Sequence, residues 1–320
     1  KVVGLVFYGR PASVSILDCY LKRNLVSNGG MLDEVVFLAR TEKEADLEWL
    51  DGLVKGEPSY KRVDVRTFGK SYASAYDICE DDVMYVKIDD DIVFFEDTTI
   101  PTIVRTRWEH PEYFLVSANI MNQPSLSWVH HHLGVIKPSA PTPLFTKHPT
   151  DWRASLLPTW EGPDNFTAAA DFQPTTIPHR WLPLSEGSVL DTTPIMETEY
   201  GAFTPALYHW TIAAQEHYSF LEHLEQNELW RYKFHKWDYY YKRLGIQFIA
   251  IMGRDINLAK PLEQDDEAYF SETMPAKLKR HAIVDGRAIA AHYSFAPQSE
   301  GMAKTDVLDR YRSFAEENIC

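Results

Sequence analysis

The chain has 320 residues, 45% hydrophobic and 13% aromatic, which excludes a disordered polymer and supplies material for a large core. Its 46 Asp and Glu outnumber 32 Lys and Arg, and the net charge of −14 argues against a nucleic-acid partner held over a broad surface. No apolar run reaches the ~18 residues of a membrane span, and no signal-peptide pattern is present.

Val2 to Tyr8 reads as a strand that ends in the turn Gly9-Arg10-Pro11. Val14, Leu17, Leu21 and Leu25 repeat at helical spacing, and Asn28-Gly29-Gly30 stops that helix. Val35 to Leu38 is a short buried strand. Thr41 and Glu44 form a capping box for a helix with Leu47, Leu50 and Val54 on its apolar face, ended by Gly56 and Pro58. Arg62 to Arg66 is a third strand, and Ser71 caps a helix running to about Cys79. Val83 to Ile88 is a fourth strand, Pro101 opens another helix, and Phe114 to Asn119 is a fifth strand. This order predicts an α/β fold with a mostly parallel central sheet, helices on both faces and a Rossmann-like N-terminal half. Ligands of such sheets sit beyond the carboxyl ends of the strands.

From about Gln123 to Thr193 the chain is rich in Pro, Trp, His and Thr and reads as long loops. Helical pattern returns over Pro205 to Leu229, and Gln247 to Met252 is another strand. A last helix carries Val307, Leu308, Tyr311 and Phe314 on its apolar face. Three cysteines are too few for a disulfide framework, and Cys19 and Cys79 read as small core residues. Asn165-Phe166-Thr167 fits a glycosylation sequon.

The chemistry centres on Asp89-Asp90-Asp91, where a β-rich apolar run stops on three carboxylates and a second apolar run follows. Three adjacent carboxylates repel one another, and a hard divalent cation reverses that balance. His292 interrupts the apolar run Ala290 to Phe295; it is either a further ligand, favouring Mn²⁺ over Mg²⁺, or a satisfied core histidine. Asp265-Asp266-Glu267 opens a helix, either as dipole-stabilised carboxylates or as the source of a general base. His130-His131-His132 lacks the Cys or His pair that would complete a zinc site. The aromatic run Trp230 to Tyr241 suits core packing or stacking on sugar rings. Gly69-Lys70-Ser71 is not a P-loop, because Asp64 stands where the earlier glycine belongs, but Lys70 can still reach a phosphate.

Together these features resemble the GT-A glycosyltransferases, which use nucleotide-diphosphate sugars. Four places carry the resemblance. Val2 to Pro11 is similar to the nucleoside-binding opening of that fold, and Tyr85 to Ile92 to its DxD motif, in a triplet form similar to that of β-1,3-galactosyltransferases. Asp265-Asp266-Glu267 stands like the acidic motif that begins a helix in inverting members, and His292 like the late metal-ligand histidine. The resemblance implies one catalytic domain over 1–320, with a nucleotide-sugar-binding half at 1–122 and an acceptor-binding, catalytic half at 123–320. It implies Mn²⁺ (or Mg²⁺) on Asp89, Asp91 and His292. Tyr8, Gly9, Arg10, Lys70, Asp89 and Asp90 would contact the donor, a UDP-sugar by preference. Asp266, or alternatively Asp265, would be the base that activates a hydroxyl of a carbohydrate or glycoconjugate acceptor. The chain begins at Lys1, and the expected setting is the Golgi or secretory lumen, downstream of an anchor, with the cytoplasm as the alternative. Two other readings compete: a metal-dependent nucleotide-sugar phosphohydrolase or pyrophosphorylase, and a non-enzymatic carbohydrate-binding protein.

Overall fold

Apolar runs in the first 120 residues fold as the strand and helix alternation that their periods predict. The structure, a computed structural model, describes residues 1–67, 72–142, 151–162, 168–173 and 180–320. The chain opens with β1 (Val2–Tyr8), α1 (Pro11–Arg23), β2 (Glu34–Ala39), α2 (Glu44–Gly56) and β3 (Tyr60–Asp64). Next come β4 (Met84–Asp89), β5 (Ile92–Phe95), α3 (Thr99–Glu109) and β6 (Leu115–Met121). The middle holds α4 (Pro124–His132), β7 (Ser139–Thr142), β8 (Arg180–Pro183), α5 (Pro205–Tyr208) and α6 (Trp210–Glu225). There follow β9 (Lys236–Asp238), β10 (Phe248–Met252), α7 (Gly253–Leu258), α8 (Asp266–Ala268), α9 (Met274–Leu278) and β11 (Ala282–His292). Two helices, α10 (Ser299–Met302) and α11 (Val307–Asn318), come last.

The chain divides into two compact units. One comprises Lys1–Asn119, Phe234–Ala290 and Ile319–Cys320; the other comprises Ile120–Lys233 and Ala291–Asn318. The first is built on a nine-stranded sheet of order β3-β2-β1-β4-β10-β6-β11-β5, with β9 paired to β11. Strands β1 to β4 run parallel. The late strand β10 enters antiparallel between β4 and β6, which is why residues beyond 233 return to this unit. Leu5, Val6, Val35, Phe37, Val86 and Ile88 are buried in the sheet, and Val14, Leu17 and Leu21 form the buried stripe of α1. Gly29, at φ 85°, ends the 3₁₀ turn Val26–Asn28 that follows α1 in a left-handed conformation cheap only for glycine. The sheet is thus the mostly parallel, helix-flanked α/β architecture expected.

Several local expectations need correction. Lys43, not Thr41, is the residue before α2, and no side chain caps that helix. Thr41 instead accepts the Lys43 N–H at 3.2 Å and donates to Asp46, so the Thr41–Glu44 box does not form. The third strand lies two residues early, because Tyr60 is the buried residue that pairs with Val35, and Val65–Thr67 is already a 3₁₀ turn. The segment ending near Cys79 is a 3₁₀ helix, Tyr72–Ile78, and Ser71 lies outside the described residues. Cys19 is not a core residue: it forms a disulfide with Cys320 across 301 residues of sequence, whereas Cys79 is free and buried as expected.

In the second unit, the stretch read as loop contains α4. Gln123 caps it by accepting the Leu126 N–H at 2.9 Å, and Pro124 occupies its first turn. Its buried face includes Ser125, Ser127 and His130 beside Leu126 and Val129, which hides the helical period. Helix α6 is buried on nearly all sides, including Gln215, Glu216 and His217. Glu216 receives a hydrogen bond from Ser127 at 3.1 Å, and burial pushes its carboxyl from an ordinary 4.5 up to about 8. The folded protein therefore keeps a proton that the unfolded chain loses near pH 4.5, so stability falls as pH rises from there toward 8. Glu216→Gln is expected to flatten that dependence. The variant should melt higher than the parent at pH 8.5, by roughly 1–2 °C per kcal/mol recovered for a chain of this length, and at the same temperature as the parent near pH 4.5. Thermal melts across pH check this, and parallel curves for the two proteins would show Glu216 to be ionised in the fold.

Candidate active site

Phe7 of β1 stands opposite Asp89 of β4 in a parallel pair, so the two strands end on the same edge. The residues that follow them, Gly9-Arg10 and Asp90-Asp91, meet there. Asp90 accepts the Gly9 N–H at 2.6 Å and Arg10 Nε at 2.7 Å, while Arg10 Nη1 reaches Asp91 at 2.7 Å. Burial pushes the Asp90 carboxyl up to about 6, against the pull of Arg10 and with the repulsion of Asp91 and Asp89. Burial also works against the Arg10 charge, but Asp91 and Asp90 outweigh it and hold the guanidinium protonated. Asp89 pairs with Lys87, a buried lysine whose ammonium sits 5.2 Å from the centre of the Phe7 ring. Carboxylate oxygens of Asp89 and Asp91 lie within 4.8 Å of each other. Hard oxygen donors at that spacing fit one divalent cation, which takes such ligands at about 2.0–2.6 Å.

These strand ends open on a cavity of about 710 Å³, a size that suits a nucleotide-like ligand. Phe7, Tyr8, Gly9 and Arg10 line it together with Asp89, Asp90 and Asp266. Arg40, Thr41, Glu42, Lys43 and Asp46 contribute from the segment after β2 and the start of α2. Tyr8 donates its hydroxyl to the Asp46 carbonyl at 2.5 Å and lies parallel to Trp49 at 6.3 Å. Burial, with Asp46 and Asp90 nearby, raises its pKa and keeps it a donor. Arg10, Arg40, Lys43 and Lys87 put four cationic side chains around a space that also carries carboxylates. Such a mixture suits a ligand with both phosphate and hydroxyl groups.

The second acidic cluster splits into three different environments. Asp265 caps α8, accepting the Ala268 N–H at 3.0 Å, and takes both Arg243 Nη atoms at 2.7 and 2.9 Å. The Arg243 bonds hold its carboxyl below the usual range. Glu267 accepts Arg243 Nε at 2.8 Å and Gln247 Nε2 at 3.1 Å, and burial raises its pKa. The carbonyl of the same Gln247 accepts the Asp89 N–H at 2.9 Å, which joins this cluster to the end of β4. Asp266 lines the cavity and accepts the Tyr76 hydroxyl at 2.9 Å.

Tyr8, Gly9, Arg10, Asp89, Asp90 and Asp266 are therefore brought to one cavity, with Asp91 buried beside Arg10. Asp265 is not among the lining residues. Lys70 lies outside the described residues, as does the Asn165-Phe166-Thr167 sequon. His292 is the last residue of β11 and belongs to the second unit, where its ring is buried 4.5 Å from that of Phe295. His130, His131 and His132 fall in the last turn of α4, and burial drives the His130 imidazole down to about 3. Of the aromatic run, Tyr232 and Tyr239 are core, while Trp230 and Tyr240 are exposed. Sequence reasoning missed Lys87, Tyr76, Arg40, Lys43 and Arg243. A lysine inside the apolar run Tyr85 to Ile88 was a readable sign for the first; nothing in the local sequence marks Tyr76.

No protein-family model matches the chain. No curated protein sequence matches it either. A solved structure with some likeness is glucosyl-3-phosphoglycerate synthase from Mycobacterium tuberculosis, in complex with Mn²⁺, uridine diphosphate and glucosyl-3-phosphoglycerate. The likeness has a TM-score of 0.30 and 14% identity, over 42% of this chain and 50% of that one. A match this slight, spanning half of that protein, leaves the reading of the site to the geometry above.

Proposed function

We propose that the chain is a metal-dependent glycosyltransferase that moves a sugar from a nucleotide-diphosphate sugar, a UDP-sugar by preference, to a hydroxyl of a carbohydrate or glycoconjugate acceptor. The observation that carries the reading is the convergence of Asp89, Asp90, Arg10, Tyr8 and Asp266 on one cavity at the ends of parallel strands. In this reading Tyr8 and Gly9 border the nucleoside, and Arg10, oriented by Asp90 and Asp91, stands by the diphosphate. Lys70 is assigned to the phosphates from the sequence alone. Asp89 and Asp91 would hold the divalent ion, Mn²⁺ by preference, with His292 assigned to it from the sequence alone; when bound the ion would act as a Lewis acid on the leaving diphosphate. Asp266 takes the proton of the acceptor hydroxyl as that oxygen attacks the anomeric carbon, which gives inversion. The Cys19–Cys320 disulfide supports a secretory-lumen setting, since such bonds persist in oxidising compartments.

A thermal-shift screen of UDP- and GDP-sugars with and without Mn²⁺ tests the reading. A ligand at ~100 times its dissociation constant adds about 2.7 kcal/mol of stability. The expected result is a metal-dependent rise in melting temperature with UDP-sugars. No shift with any nucleotide sugar would remove the proposal, and sugar release without an acceptor would point to a phosphohydrolase.

A further inference from the structure

We propose that Tyr76 is the positioning residue for the base: its buried hydroxyl holds one oxygen of Asp266 and leaves the other to the acceptor. This rests on the glycosyltransferase reading above and adds a residue that the reading does not contain.

The hydroxyl donates to Asp266 Oδ2 at 2.9 Å across 190 residues of sequence. Tyr76 is almost completely buried, and its ring sits against Phe7 at 5.2 Å and Phe270 at 5.2 Å. Phenylalanine would fill that space equally well. A buried hydroxyl costs free energy unless it is paired, and this one is paired with a cavity-lining carboxylate. Burial raises the Tyr76 pKa, so the phenol stays protonated and donates.

Asp266 needs such a partner. It is the first residue of a helical segment that continues through the π turn Tyr269–Thr273 into α9, and it is half-buried, so the helix fixes its backbone while the carboxylate at the cavity wall still has more than one rotamer open to it. Its neighbours are held otherwise, Asp265 by the helix cap and Arg243, Glu267 by Arg243 and Gln247. Tyr76 also belongs to the same wall as the triplet. Phe7, which packs on its ring, stands opposite Asp89 and lies beneath the Lys87 ammonium. Ala75, one residue before it, lines the cavity. One short 3₁₀ segment therefore both shapes the cavity and aims the carboxylate.

The test is a double-mutant cycle on transfer rate, with nucleotide affinity measured in parallel and rates expressed per folded molecule counted by nucleotide titration. Tyr76→Phe is expected to lower kcat about 10–100-fold, the worth of a hydrogen bond to a charged group, with donor KM and Mn²⁺–UDP affinity unchanged. In an Asp266→Asn background the same substitution should cost nothing further, because the residue acts only through that carboxylate. Phe270→Leu, which loosens the ring without touching the hydroxyl, should lower the melting temperature and keep kcat. Unchanged kcat in Tyr76→Phe, an equal loss in both backgrounds, or the same loss from Phe270→Leu would overturn the inference. Full activity of Asp266→Asn would remove the base assignment itself and this inference with it. A slow Asp266→Asn beside a fast Tyr76→Phe would remove this inference alone.

Discussion

Asp266→Asn is expected to slow sugar transfer about 10²–10⁴-fold, the range for loss of a general base, while nucleotide affinity in the presence of Mn²⁺ stays at the parent value. Asparagine keeps the shape and still accepts the Tyr76 hydrogen bond, so the cavity wall survives and only the proton acceptor is lost. The adjacent Asp265→Asn provides the contrast. Its side chain is mostly exposed and engaged with Arg243 and the Ala268 N–H, so asparagine keeps a cap and weakens an ion pair worth about 0.2–1 kcal/mol. That variant should melt slightly lower and turn over normally. Steady-state kinetics with a defined donor and acceptor separate the two. A slow Asp265→Asn beside a normal Asp266→Asn would exchange their roles, and normal turnover in the double variant would favour a retaining mechanism.

Much of the first unit was legible because its strands and helices obey their own periods. Val2 to Tyr8 and Met84 to Asp89 are apolar runs bounded by turn residues, and Val14, Leu17 and Leu21 share one helical stripe. The strand end at Asp89 was legible for the same reason, since charge interrupts an apolar run there. The site was legible only where it is local in sequence. Arg10 and Asp90 are 80 residues apart, and Tyr76 and Asp266 are 190 apart; neither partner announces the other. The first pair is joined by the parallel pairing of β1 and β4, and the second by β10, whose antiparallel entry beside β4 brings Gln247 and the following acidic helix back to the strand ends. A short apolar run such as Phe248 to Met252 does not specify its neighbour or its direction.

The second unit was less legible because it buries polar side chains. Helix α4 hides its period behind Ser125, Ser127 and His130, and α6 places Gln215, Glu216, His217 and His223 inside. Gln215 is tolerated there because Thr193 and the Ile195 N–H meet it. Those partners come from irregular segments that carry no pattern of their own. The disulfide escaped for a related reason: with three cysteines, spacing alone does not select a pair, and Cys19 sits at helical spacing that suits a core residue.

Removal of the divalent ion should abolish transfer, and Asp91→Asn should reproduce that loss in the presence of excess Mn²⁺. Asp89, Asp90 and Asp91 place three carboxylates together, with Arg10 and Lys87 bringing two positive charges against them. Asp91 is almost wholly buried, so its charge is costly without a cation close by. Asparagine there relieves part of the mutual repulsion and weakens one bond to Arg10, which keeps its contacts with Asp90. These two effects oppose each other, so the melting temperature of the metal-free variant should stay near that of the metal-free parent. The metal-dependent part behaves differently. The parent should gain stability on addition of Mn²⁺ with UDP, more than with Mg²⁺ if an imidazole ligand contributes, whereas Asp91→Asn should gain little from either. Activity should fall at least about 10²–10³-fold, as when electrostatic stabilisation of a developing charge is withdrawn. Melting curves and transfer rates, each taken after chelation and after Mn²⁺ is restored, check both halves. If chelated protein retains full activity, Asp89 and Asp91 hold no catalytic ion; if only Asp91→Asn retains it, the ion has other ligands.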